Sequence, residues 1–179
     1  MIKRSKQNRG FSLIEIIIVV ALLGLFIAIT AASLSLIFST QASKCANDMN
    51  NLIAKCKMNS MSRQGNVCVE FIKEGSNIEG RYYENGHLIS TEIVGNSRIA
   101  VSFTDTNGAE YQLGNQPLYI SFNRSTASLK TLLESSQIVK RDDVFLFAPN
   151  VHCREISIKS NNKNYTIEIV PSTGKHYIS

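Results

Sequence analysis

Among its four cysteines and three histidines the chain has no C-x-x-C and no H-x-x-x-H pair, so the spacings that hold a structural zinc are missing. His152 and Cys153 are adjacent, and neighbours on a regular strand point to opposite faces, so they cannot close on one ion. A G-x-S-x-G elbow, a P-loop and a G-x-G-x-x-G turn are also absent, which removes the common signatures of hydrolases, NTPases and dinucleotide enzymes. His87 follows a turn and His176 lies near the C-terminus, so both read as solvated side chains rather than catalytic bases. No metal site, cofactor site or catalytic constellation is visible, and the chain reads as a non-enzyme. Charge is scarce in one place: from Phe11 to Phe38 the only charged residue is Glu15, and Ile16 to Ile29 carries no polar side chain.

What is present begins with the flank of that run. A basic leader (Lys3, Arg4, Lys6, Arg9) ends in Gly10, and residues Gly10 to Glu15 read G-F-S-L-I-E. A secretory signal peptide is cut after its apolar segment; here the glycine-ended junction precedes it, so cleavage at Gly10 leaves the hydrophobic helix on the mature chain. At about 1.5 Å per residue the stretch 11–38 is long enough for a hydrocarbon core of roughly 30 Å. Thr30, Ser33 and Ser35 dilute its outer half, but hydroxyls can bond back to the helix. Lys and Arg beside an apolar helix stay on the cytoplasmic side, so the C-terminal body is expected outside the cytoplasmic membrane. The formal charge of +5 is mostly the leader; cutting after Gly10 leaves about +1, which gives no strong pull toward polyanions.

The junction resembles that of type IV prepilins and of the pseudopilins of type II secretion and competence systems. Their short basic leaders end in Gly, followed by a mature N-terminal Phe, an S/T-L-[I/L/V]-E run and an apolar helix. Gly10, Phe11, Ser12, Leu13, Ile14 and Glu15 carry the match. The resemblance implies cleavage between Gly10 and Phe11 by a prepilin peptidase, N-methylation of Phe11, and assembly with other pilin subunits on a platform protein. It also implies that Glu15 pairs with the N-terminal amine of a neighbouring subunit, since buried opposite charges repay desolvation only in good geometry. The other reading of Glu15 is a carboxylate snorkelling to the headgroups. Many pilins carry a proline two-thirds of the way along this helix; Ala28 to Ser35 has none, and Gly24 is the one weak point.

Beyond the apolar run, Ala42, Cys45, Ala46, Met49, Leu52, Ile53 and Cys56 recur at the spacing of one helical face. The helix is therefore expected to continue as an amphipathic segment to about Arg63, stopping at Gln64-Gly65-Asn66. After Asn66 the period becomes two. Val67, Val69 and Phe71 alternate with Cys68, Glu70 and Ile72, and strands expected at Arg81 to Tyr83 and His87 to Ile89 flank Glu84-Asn85-Gly86, a hairpin signal. Further strands are expected at 99–104, 110–113, 118–123, 144–147, 155–159, 165–170 and 175–178, separated by turn residues; 131–139 is ambiguous and fits a short helix. The expectation is an α+β, pilin-like fold: leader 1–10, membrane and assembly helix 11–38, amphipathic helix 39–65 and β-rich head 66–179. The last hairpin, with the turn Pro171 to Gly174, resembles the C-terminal end of GspH/FimT-like pseudopilins.

Four cysteines in a translocated head allow two disulfides. Cys45 and Cys56 lie about 16 Å apart along a helix and cannot bridge. Cys56 with Cys68 is the easier pair, because a strand turning back after Gly65 passes the last helical turns; the competing reading is four buried free thiols. Asn123-Arg124-Ser125 and Asn164-Tyr165-Thr166 match the glycosylation pattern, a short motif common by chance. A second functional reading is a minor pilin whose head captures DNA through Lys159, Lys163, Lys175, Lys140 and Arg141, although Glu155, Glu168, Asp142 and Asp143 lie among them. A third is a signal-anchored enzyme, which lacks a visible site. The alternatives of pilus, secretion pseudopilus and competence apparatus stay open at this level.

Overall fold

A computed structural model describes residues 12–139, 147–160 and 163–179, and the side chains of 28–39 are outside the description. By contact the chain falls into two compact units, Met1–Ile37 and Phe38–Ser179. Helix α1 is assigned from Leu13 to Ser62.

In the first unit the helix is apolar on every side. Twelve large side chains between Leu13 and Ile27 stand 50% to 79% exposed, where an amphipathic surface helix would hide one stripe. Among the described residues no helix is long and apolar enough to cross a membrane. Of the expected span 11–38, Phe11 and the side chains of 28–38 lie outside the described residues.

The second unit packs the remainder of α1 on antiparallel sheets, the α+β class expected from the sequence. Ala42, Cys45, Ala46, Met49, Leu52, Ile53 and Cys56, the face picked out by spacing, are all buried. One sheet orders its strands β3-β2-β1-β6, from β1 (Val67–Glu74), β2 (Asn77–Glu84), β3 (His87–Asn96) and β6 (Leu118–Ile120). The other orders β5-β4-β7-β8-β9, from β4 (Ala100–Asp105), β5 (Glu110–Gln112), β7 (Cys153–Ser160), β8 (Lys163–Val170) and β9 (Lys175–Ile178). Every named pairing is antiparallel.

Turn chemistry fixes the joints. Asn85 and Gly86 both take positive φ, the requirement of a two-residue hairpin turn that follows the strand twist. The Asn85 side chain then receives the Asn66 amide at 2.9 Å, while the Asn85 amide reaches the Asn66 carbonyl at 2.8 Å. This ties the start of β1 to the β2–β3 turn. The ambiguous stretch 131–139 resolves into a five-residue helix, α2 (Leu132–Ser136), held by a capping box between Thr131 and Glu134.

The alternation in β1 places Cys68 and Glu70 on the face away from α1, and both are fully buried, because α2 and the segment around Ser121 cover that face: Cys68 Sγ donates to the Ser135 carbonyl at 3.3 Å, and the Ser121 and Ser135 hydroxyls meet at 2.9 Å. Two strand expectations are corrected. The hairpin strand expected at His87 to Ile89 runs on to Asn96, with bulges opposite Ile78/Glu79 and Tyr82/Tyr83. The strand expected over 118–123 ends at Ile120, followed by an isolated Phe122–Leu129 bridge. Of the strand expected at 144–147, residues 144–146 lie outside the described residues, and Phe147 is in no strand.

Candidate functional site

The apolar N-terminal segment carries one polar feature that sequence reasoning singled out, Glu15. It sits in the first turn of α1, where a carboxylate suits the positive end of the helix dipole. Its Oε2 accepts the Ser12 amide at 3.4 Å, and its own amide donates to the Ser12 carbonyl at 3.0 Å. The side chain is exposed, so the carboxylate is within reach of a second molecule. Gly10 and Phe11 lie outside the described residues.

The four cysteines are buried and free, and the Cys56–Cys68 bridge weighed from the sequence is not formed. Register gives the reason. Phe71 pairs with Gly80, and a Cβ on Gly80 would meet Leu52 of α1; Val67, Val69 and Phe71 therefore face the helix that carries Cys56. Cys68, offset by one residue, points the other way. Cys56 Sγ donates to the Ile120 carbonyl at 3.5 Å on one side of the sheet, and Cys68 Sγ reaches the Ser135 carbonyl on the other. Burial pushes Cys45 up to about 12, helped by the nearby Asp48 charge, and pushes Cys56 up to about 12 as well. Burial raises Cys68 and Cys153 in the same sense. Thiols held this firmly in the neutral form are poor nucleophiles and poor metal ligands. Among the described residues no group of three His, Cys, Asp or Glu could hold a metal.

The DNA candidates are placed in mixed company. Lys159 and Lys175 are exposed on the outer face of the five-stranded sheet, the face that also carries Glu155 and Glu168. Those two carboxylates are direct cross-strand partners, and Tyr177 donates to Glu168 at 2.5 Å. Lys163 is exposed at the start of β8. Lys140, Arg141, Asp142 and Asp143 lie outside the described residues. The sequons differ in placement: Asn123 Nδ2 is part-buried and donates to Ser128 Oγ, while Asn164 is exposed and accepts from Ser157 Oγ.

Two acids that the sequence does not mark as buried lie inside the head. Glu70 is fully buried and accepts the Tyr83 hydroxyl at 2.9 Å. Asp105, 2% exposed, accepts the Asn107 and Ala109 amides at 2.8 and 2.9 Å and the Tyr111 hydroxyl at 3.0 Å, fixing the β4–β5 loop. Asp-x-Asn-Gly after an apolar strand was the available signal for the second. Glu70 had none, since the alternation of β1 does not tell what covers its second face.

An N-terminal helix on antiparallel sheets, preceded by an all-round apolar segment whose one charge is Glu15, defines a pilin-like architecture. Residues 5–31 match the family model of the prokaryotic N-terminal methylation motif. That motif is the prepilin-type signal, and it supports the type IV pilin and pseudopilin family. No curated protein and no solved structure matches the chain.

Proposed function

We propose that this chain is a structural subunit of a type IV pilus or of a type II secretion or competence pseudopilus. A membrane prepilin peptidase cuts it after Gly10, Phe11 becomes the N-methylated terminus, and the apolar helix drives assembly with other pilin subunits on a platform protein. Before assembly the subunit is a single-pass protein of the cytoplasmic membrane with its head on the extracytoplasmic side. The divisions are those of the sequence: leader 1–10, membrane and assembly helix 11–38, amphipathic helix 39–65 and head 66–179. The methylation motif supports the coarser part of this reading, a prepilin-processed structural protein rather than an enzyme.

The observation that carries the proposal is the segment Leu13 to Ile27. Its side chains are exposed on every side of the helix and only Glu15 is charged, so the segment requires an apolar environment, first lipid and then the helices of other subunits. Cleavage before Phe11 creates an ammonium four residues from Glu15, and a carboxylate in an apolar setting needs such a partner. Replacing Gly10 by a bulky residue in cells that contain the peptidase should leave the leader attached; recovery of a mature terminus at Phe11 from that variant defeats the proposal. DNA capture by the head is the second reading. The Glu155–Glu168 pair beside Lys159 and Lys175 weighs against it, because phosphate binding depends on uncancelled positive charge.

A further inference from the structure

The head has two ends, told apart by what meets α1. At the end where the chain enters, the Gln41 side chain accepts a hydrogen bond from Asn96 at 3.1 Å, and Lys44, Asn77, Asn96 and Ile99 line one depression beside it. Strand register brings further residues to this end: Lys73 pairs with Ile78, Ala100 with Lys159, and Ser160 with Lys163. At the opposite end Lys57 donates to the Thr173 and Gly174 carbonyls at 3.1 Å, and Arg63 pairs with Glu84.

Charge is divided unevenly between the two ends. Lys44, Lys73, Arg98, Lys159 and Lys163 are all exposed at the entry end. The acids there are Asp48, Glu74 and Glu79, and Arg81 takes up the last two. Among the described residues no carboxylate lies within ion-pair distance of the four lysines. Glu155 stands four residues from Lys159 on β7, about 13 Å along a strand, and Lys175 lies at the far end beside the Pro171 to Gly174 turn. The mixed outer face of the five-stranded sheet is therefore basic where it reaches the entry end.

Connectivity says what this end meets. Phe38 is the first residue of the head unit and the last of the apolar span expected from the sequence, so Lys44 follows the hydrocarbon boundary by about 9 Å of helix. A tether this short holds the lysines at a high local concentration of headgroups. Each cation near an anionic surface adds to an attraction that fades within a Debye length.

We propose that the entry end of the head binds anionic phospholipid headgroups of the membrane that holds the apolar helix, through Lys44, Lys73, Arg98, Lys159 and Lys163. The inference rests on the membrane-subunit reading above and gives that subunit a lipid-docked head before assembly. The contact is electrostatic, so salt reverses it, and the head can leave the surface with its helix.

The test uses the full chain in lipid nanodiscs. The native thiols are buried, so a cysteine at an exposed position takes a fluorophore selectively. Ser97→Cys places the label at the entry end, beside Arg98, and Ser62→Cys places it at the far end; both serines are exposed. Quenching by a lipid with a nitroxide on its headgroup reports approach to the surface. Replacing about 30% of the phosphatidylcholine by phosphatidylglycerol at about 50 mM salt should raise quenching of the Ser97→Cys label about twofold or more, and about 500 mM salt should remove the rise. The label at Ser62→Cys should show no rise. Changing Lys44, Lys73, Lys159 and Lys163 together to glutamine should abolish the rise at the Ser97→Cys label. Equal quenching in the two lipids, an equal rise at both labels, or a rise that survives the fourfold change overturns the proposal. So does a chain that ignores phosphatidylglycerol yet binds a labelled DNA duplex through the same lysines. A chain that is not retained in the discs at all sinks the membrane-subunit reading, and this contact with it.

Discussion

Gly174 carries the sharpest stability prediction, because an added Cβ there is met by the Ala127 backbone and the Phe122 ring. Its φ is +60°, and an added Cβ would lie 2.2 Å from the Ala127 carbonyl and 2.8 Å from the Phe122 ring. The left-handed conformation alone costs a non-glycine residue roughly 1–2 kcal/mol. The contact with Ala127 cannot be relieved by a rotamer change, since the atom it meets is backbone. Moving the loop apart breaks the Leu129 amide to Pro171 carbonyl bond of 2.8 Å, about 1 kcal/mol, and opens the packing of Phe122 and Leu129, about 1–3 kcal/mol more. Gly174→Ala should therefore destabilise by about 3–6 kcal/mol, a large part of the usual total for a domain. Gly80→Ala is the control. Its Cβ would meet Leu52 Cδ1 at 2.4 Å, but that atom ends a flexible side chain, so the cost should stay near the low end of about 1–3 kcal/mol. Urea unfolding of the full chain in detergent micelles, followed by circular dichroism because the chain has no tryptophan, measures both. A Gly174→Ala variant within 1 kcal/mol of the parent, or one more stable than Gly80→Ala, refutes the reasoning.

Three further outcomes are expected. Glu15→Gln should leave cleavage after Gly10 intact, seen by the mass of the subunit, while reducing its recovery in filaments by tenfold or more. Alkaline unfolding should report the buried thiols: native Cys45 and Cys56 are pushed up to about 12 and unfolded thiols ionise near 8.5, so the folded state holds more protons between these values. Stability is then full below about pH 8.5 and falls as pH rises toward 12, by up to about 1.4 kcal/mol per pH unit for each thiol; replacing Cys45 and Cys56 by alanine should flatten that slope at the expense of lower stability at pH 7. Tyr83→Phe removes a hydroxyl from the buried Glu70 and should destabilise by about 1–3 kcal/mol, measured by the same urea titration.

The helical face from Ala42 to Cys56 was legible because seven residues keep one spacing and all of them turned out buried. The hairpin at Asn85-Gly86 was legible because that dipeptide has few other uses. What escaped was decided by contacts distant in sequence. Nothing in the alternation of β1 signals that α2 covers its second face, so the burial of Glu70 was not legible, and the Cys56–Cys68 bridge was weighed on the chain reversal after Gly65 without regard to which face carries Cys68. β3 was cut short because Ile89 and Val94 occupy bulges and break the period-two pattern that marks a strand. The N-terminal motif was the easiest feature to read, since Gly10 to Glu15 combines residue identity with position beside an apolar run.

The most direct test is the intact mass and N-terminal sequence of the subunit recovered from cells that express the peptidase. The account predicts a chain that begins at N-methyl-Phe11 and retains Leu13 to Ile27. A product that keeps residues 1–10, or one that has lost the apolar helix, contradicts it.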